Sequence, residues 1–76
     1  MRHLSEVLVV VEDTPGVIAR IAGSLAEGGI NIKDIEVMKV REGEGGTLRL
    51  AFEDEDAAAE AIRRLCTIGF SARKRG

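Results

Sequence analysis

The sequence predicts an α+β fold, a four-stranded antiparallel sheet with two helices on one face. Three observations predict it. Apolar residues recur at helical spacing over 18–25 and 58–65, and each stretch stops at a glycine. β-branched or alternating runs flank both stretches, at 4–13, 30–42, 47–53 and 70–75. The segment "GEGG" at 43–46 joins the two middle runs directly, as a hairpin turn does. The resulting order is βαββαβ, the ferredoxin-like split βαβ arrangement.

The first run, "LSEVLVVVED" (4–13), has apolar residues on both parities in its second half, which predicts a central strand covered on both faces. Thr14 offers an N-cap hydroxyl, and Pro15 suits the first helical position, where its missing N–H costs nothing. Ile18, Ile21, Ala22 and Leu25 make the buried stripe of the first helix, and Gly28-Gly29 ends it in a left-handed cap. In "INIKDIEVMKVRE" (30–42) the apolar parity switches from Ile30 and Ile32 to Ile35 and Val37. The switch predicts a bulge or bend near Lys33-Asp34. Met38 and Val40 return to even positions, so this strand is apolar on both faces. "TLRLAFE" (47–53) alternates, with Leu48, Leu50 and Phe52 inward and Thr47, Arg49, Ala51 and Glu53 outward. "DEDAAAEAIRRLCTIG" (54–69) is the second helix, acidic in its first turn and basic at Arg63-Arg64, both favourable with the helix dipole. Ala58, Ala61, Ile62 and Leu65 are its buried stripe, Gly69 its stop, and "FSARKR" (70–75) the last strand.

A chain of 76 residues is one small domain, 1–76. It buries only about 60% of its unfolded surface, so an interface pocket is an easier place for a ligand than an enclosed cavity. Hydrophobic residues at 45% and charged residues at 32%, signs interspersed, place it among globular chains. The net charge of −2 argues against a nucleic-acid partner, and "RKR" at 73–75 reads as a solvated strand end. No apolar run approaches the ~18 residues of a membrane span and no signal peptide is visible, so no membrane partner and a cytoplasmic setting are expected. Cys66 is alone, which excludes an internal disulfide and a cysteine metal cluster. It is expected to be partly buried as a small apolar side chain.

Catalysis finds little footing. His3 is the one histidine and has no serine or cysteine partner in the sequence around it. The carboxylates of "EDED" (53–56) are accounted for by a helix start. "GEGG" joins two strands instead of opening a helix, and Glu42 and Glu44 would repel a phosphate. Base stacking on an open sheet face needs aromatic residues, and Phe52 and Phe70 both carry inward parity. No cysteine pair in the first loop offers a copper site. A non-enzyme without cofactor or metal is expected.

The chemistry concentrates in "EDTPGVIARIAGSLAEGGINI" (12–32). Free N–H groups around Gly16 and Val17, at a helix start, attract a carboxylate, and Gly16 lets a ligand approach the backbone. Asp13 can accept from an ammonium, and the Asn31 amide can both donate and accept. Together these suit a free α-amino acid, with Asn31 near the start of its own βαβ unit or of a partner's. The other reading is structural: Asp13, Thr14 and Pro15 cap a helix while Asn31 completes a turn.

Those residues carry a resemblance. Asp13, Pro15, Gly16, Val17, Gly29, Ile30, Asn31 and Ile32 match the D-x-P-G-V/L, apolar helix, G-I/V-N-I pattern of the ACT domain, a ligand-sensing module of amino-acid metabolism. The hairpin residues Arg41, Glu42, Gly46, Leu48, Arg49, Leu50 and Phe52 are similar to the C-terminal ACT domain of bacterial prephenate dehydrogenases. Serine dehydratase ACT domains share "PGVIA" and "INI". Val11 stands where the serine-binding ACT domains of phosphoglycerate dehydrogenase have a histidine. The resemblance implies a regulatory domain that pairs through sheet edges and binds an amino acid at the seam, through Asp13, Thr14, Pro15, Gly16, Val17, Gly29, Ile30, Asn31 and Ile32. It implies two partners besides the amino acid, a second copy and the catalytic domain of a parent enzyme, here prephenate dehydrogenase of tyrosine biosynthesis. Ile35, Val37, Met38 and Val40, apolar on both faces of one strand, agree with a homodimer. The alternatives are a structural dimerisation module without ligand and an ACT domain of another amino-acid enzyme.

Overall fold

Six elements follow one another: β1 (Ser5–Val11), α1 (Val17–Glu27), β2 (Asp34–Arg41), β3 (Gly45–Phe52), α2 (Glu55–Thr67) and β4 (Ser71–Lys74). This computed structural model describes residues 4–12, 16–41 and 45–75. The strands lie in the order β2-β3-β1-β4, each pair antiparallel. Because Val7 stands opposite Leu50 and Val9 opposite Leu48, the odd positions of β1 and the even positions of β3 share one face. That face is the core. Val7, Val9, Leu50 and Phe52 meet Ile21 and Leu25 of α1 and Ala58, Ala61 and Leu65 of α2, all fully buried. The expected ferredoxin-like fold is the one observed.

Both helices stop by the same motif. The N–H groups of Gly29 and Ile30 donate back to the carbonyls of Ala26 (3.0 Å) and Leu25 (2.9 Å). Those of Gly69 and Phe70 donate to Cys66 (3.1 Å) and Leu65 (2.9 Å). Each is a Schellman motif, which needs a left-handed residue, and Gly29 (φ 73°) and Gly69 (φ 99°) supply it.

Several expectations are corrected. The N-cap of α1 is Gly16 and the helix begins at Val17, so neither Thr14 as cap nor Pro15 as first helical residue holds. The helix register moves with its start. Ile18 is 43% exposed, while Val17, four residues before Ile21, packs against the core in its place. β1 is central but covered on one face only, since Val10 is 56% exposed. The bulge lies at Met38, where the register to β3 shifts between Val37 and Lys39, and not at Lys33-Asp34. Ile30 and Ile32 precede β2 and pack against the core from the connecting segment, which is why their parity differs from that of Ile35. Gly45 and Gly46 belong to β3; residues 42–44, the rest of the expected turn, lie outside the described residues. Gly45 has φ 83°, and a Cβ there would stand 2.2 Å from the Val11 carbonyl oxygen. Cys66 is exposed, because it follows Leu65 by one residue and so turns about 100° away from the buried stripe.

Candidate ligand site

The start of α1 differs from an ordinary helix start. Gly16 is left-handed at φ 80°, and its carbonyl accepts from the Arg20 N–H at 2.9 Å. Among the described residues no side chain caps the helix, and its first turn holds no acid. The N–H groups of Val17, Ile18 and Ala19 therefore have no acceptor among the described residues. Asp13, Thr14 and Pro15 lie outside the described residues.

Beside this helix start opens a cleft of about 320 Å³ between the end of β1, Val17 and Arg20 of α1, and the segment Ile68–Ser71. The Arg20 guanidinium lies over the Phe70 ring, 5.3 Å from its centroid, which keeps a positive charge in the cleft. Arg20 was not among the expected site residues; its partner Phe70 lies fifty residues further on, just before β4, and no local pattern joins the two.

At the other end of α1, Gly29 and Ile30 are accounted for by the helix stop, and Ile30 and Ile32 by packing on the core. Asn31, between them, is exposed and makes no hydrogen bond among the described residues. The next backbone anchor is the Lys33 N–H, which donates to the Ala51 carbonyl at 2.8 Å. An 11-residue helix is about 16 Å long, so Gly16 and Asn31 of one chain do not share an amino acid's carboxylate or ammonium. The expectation that they meet within one βαβ unit is corrected.

The open face of the sheet holds a cluster that sequence reasoning marked only as outward. Arg49, its side chain 13% exposed, donates to Glu6 (2.6 Å), Asp34 (2.6 Å) and Glu36 (2.9 Å). The signal was there in the register: Glu36 stands opposite Arg49, and Glu6 and Asp34 both stand opposite Ala51, two residues on. Hydrogen bonding to Arg49 holds the Asp34 carboxyl below its ordinary range, and Asp34 with Glu36 raises Arg49 in return. Among the described residues no group of His, Cys, Asp and Glu side chains is arranged to hold a metal. No helix there is long and apolar enough to cross a membrane.

The family model of the AHAS small subunit-like ACT domain matches residues 7–68. Among solved structures, the ACT domain of prephenate dehydrogenase from Bacillus anthracis superposes with a TM-score of 0.81 at 28% identity, covering 90% of this chain and 99% of that one. The regulatory subunit of aspartate kinase from Thermus thermophilus gives 0.79 at 25% identity, covering 95% of this chain and 50% of that one. A bifunctional uridylyltransferase/uridylyl-removing enzyme of Rhodospirillum rubrum is 43% identical over 42 residues, 55% of this chain and 4% of the enzyme. The chain thus spans a small fraction of that relative. It belongs to the ACT domain family, as a regulatory module and not a catalytic one.

Proposed function

We propose that this domain senses a free amino acid at a seam between two copies, in the setting of a prephenate dehydrogenase of tyrosine biosynthesis in the cytoplasm. The observation that carries the reading is the start of α1, where three N–H groups without an acceptor among the described residues suit a carboxylate. The proposed site takes Asp13, Thr14, Pro15, Gly16 and Val17 from one copy and Gly29, Ile30, Asn31 and Ile32 from the other. The register supports this division. Val11, Gly46 and Val40 line one end of the sheet, the end that leads into Gly16. Glu6, Ala51 and Asp34 line the opposite end, next to Asn31. Two β2 edges paired antiparallel about a two-fold axis set the Asn31 end of each copy beside the Gly16 end of the other. Ile35 and Val37, on the helix side of that edge yet 41% and 52% exposed, favour such a seam. The likeness to a prephenate dehydrogenase ACT domain, almost its whole length, supports the choice of parent enzyme and of an aromatic amino acid.

Ligand occupancy of the paired form would then bias the arrangement of an attached catalytic domain. The second reading, a dimerisation module without ligand, draws on the same exposed Ile35 and Val37. Titration calorimetry with tyrosine, phenylalanine and serine separates the two. A charge-assisted hydrogen bond is worth about 1.5–3 kcal/mol, so Asn31→Ala is expected to weaken binding about ten-fold or more. Gly16→Asp tests the other end. Aspartate is tolerated in the left-handed region, and its charge competes with the ligand carboxylate. Circular dichroism checks folding of both. No heat at millimolar amino acid favours the structural module; binding unchanged in both variants puts the ligand elsewhere.

A further inference from the structure

We infer that the open face of the sheet is a self-complementary surface that stacks on the open face of a second copy. The face is divided by charge across its width. Along the β2 edge stand Asp34 and Glu36, which share the one Arg49 of β3 with Glu6 of β1 and keep more than half of their side-chain surface in solvent. On the β4 side stand Arg73, opposite Leu8, and Arg75, whose N–H donates to the Glu6 carbonyl. Arg73 makes no ion pair among the described residues, and Arg75 reaches only the far side of Glu6, at 3.6 Å. Between the charged borders runs an apolar strip, Leu8 and the 56% exposed Val10 of β1, beside the buried Ala51 of β3.

Within one chain Asp34 and Glu36 do not meet Arg73 and Arg75. β2 and β4 are the two edges of a four-stranded sheet, about 14 Å apart at the ordinary strand spacing. A second copy solves this. A two-fold axis parallel to the strands, lying between two stacked faces, carries β2 of one copy over β4 of the other and keeps residues at the same height. One row across the sheet reads Glu36, Arg49, Leu8, Arg73. The next reads Asp34, Ala51, Glu6 and then Arg75, through the Arg75–Glu6 backbone bond. The axis therefore sets Glu36 over the partner copy's Arg73 and Asp34 over its Arg75, with Leu8 over its Arg49 and Val10 over its Thr47. Aligned sheets stack about 10 Å apart, within reach of paired long side chains. Faces of about 19 by 23 Å bury on the order of 900 Å² in total, so the contact is weak and salt-sensitive. It stands apart from the β2 edge seam, since Val10 lies on an inner strand that edge pairing does not cover.

Sedimentation at low salt, with the full chain in a Cys66→Ser background, tests it. The wild type is expected to associate, and raising salt to 0.5 M to halve the assembly mass. Arg73→Glu and Val10→Lys should each do the same at low salt, whether or not the edge seam forms. Arg73→Glu combined with Glu36→Arg should restore association at least ten-fold over either single change. A wild-type monomer at low salt, an undiminished assembly in Val10→Lys, or a double variant no better than its parents would each overturn the inference.

Discussion

α1 and α2 stop in the same way and start in different ways. Leu25, Ala26, Gly29 and Ile30 at one stop correspond to Leu65, Cys66, Gly69 and Phe70 at the other, with the same pair of reversed bonds. At the start of α2, Asp54 has extended backbone, its Oδ1 accepts from the Ala57 N–H at 2.8 Å, and Glu55 and Asp56 add charge to the first turn. At the start of α1 there is a left-handed glycine and no acid. The connections that follow also differ. Phe70 leads straight into β4, whereas Asn31, Ile32 and Lys33 intervene between Ile30 and β2. What the two halves share is what each needs to fold. The two places where the first half departs from the second are the places where Gly16, Val17 and Asn31 stand.

The largest expected effect tests the shared part. Leu25 and Leu65 occupy equivalent positions and are both fully buried. Leu25→Ala and Leu65→Ala should each cost about 2–5 kcal/mol, comparable to the whole stability of a domain this small. Urea unfolding measures both. A wild-type midpoint in either one would mean that the halves do not contribute to the core alike.

The difference between the helix starts comes next. Asp54→Ala should cost about 1 kcal/mol through loss of the cap. Ile18→Glu, which puts a carboxylate into the first turn of α1, should instead add about 0.3–1 kcal/mol. If thermal melts show Ile18→Glu neutral or destabilising while Asp54→Ala behaves as stated, the N–H groups of α1 are already satisfied and the contrast between the starts falls.

The sequence made the shared part legible because glycine, apolar spacing and alternation are local signals. The order of elements, the inward set Leu48, Leu50 and Phe52, and both helix stops could be read from it. The start of α1 was misread because "TPG" fits two caps, Thr14 with Pro15 or Gly16 alone, and only the packing of Val17 decides between them. The bulge at Met38 was placed instead at Lys33-Asp34 because Ile30 and Ile32 look like strand residues while serving the core from a connection. Of the proposed site, the residue types were legible and their separation was not. That Gly16 and Asn31 lie at opposite ends of a helix is evident in the sequence, but that nothing folds them together is not.

A smaller effect tests how the helices are joined. The Arg64 Nε–H donates to the Ser24 carbonyl at 3.0 Å, so α2 satisfies a carbonyl in the last turn of α1. A Cβ at Gly28 would come within 2.6 Å of that Nε. Arg64→Met should cost about 1 kcal/mol, and Gly28→Ala somewhat less, since the flexible guanidinium can move aside. Because both act on one bond, the double variant should cost less than the sum of the two. Strict additivity in a urea cycle would show that Gly28 has no part in placing Arg64.

The smallest effect lies where β2 begins, the other point of departure between the halves. Asp34 opens the strand, accepting from Arg49 at 2.6 Å and from its neighbour Ile35 N–H at 3.0 Å, whereas Ser71 opens β4 with no such partner among the described residues. The hydrogen bond from Arg49 lowers the Asp34 pKa in the folded chain. A lowered folded pKa means that the unfolded chain takes up the proton first. The contribution is therefore complete above the unfolded value of about 3.9 and is lost as pH falls through the folded one. Asp34→Asn should thus lower the urea midpoint slightly at pH 7, and the gap from wild type should narrow below about pH 4. The side chain is 58% exposed, so salt should shrink the same gap. A gap that is equal at pH 7 and pH 3 would assign the effect to the Ile35 cap alone, which the asparagine oxygen preserves in part, and would leave Arg49 held by Glu6 and Glu36.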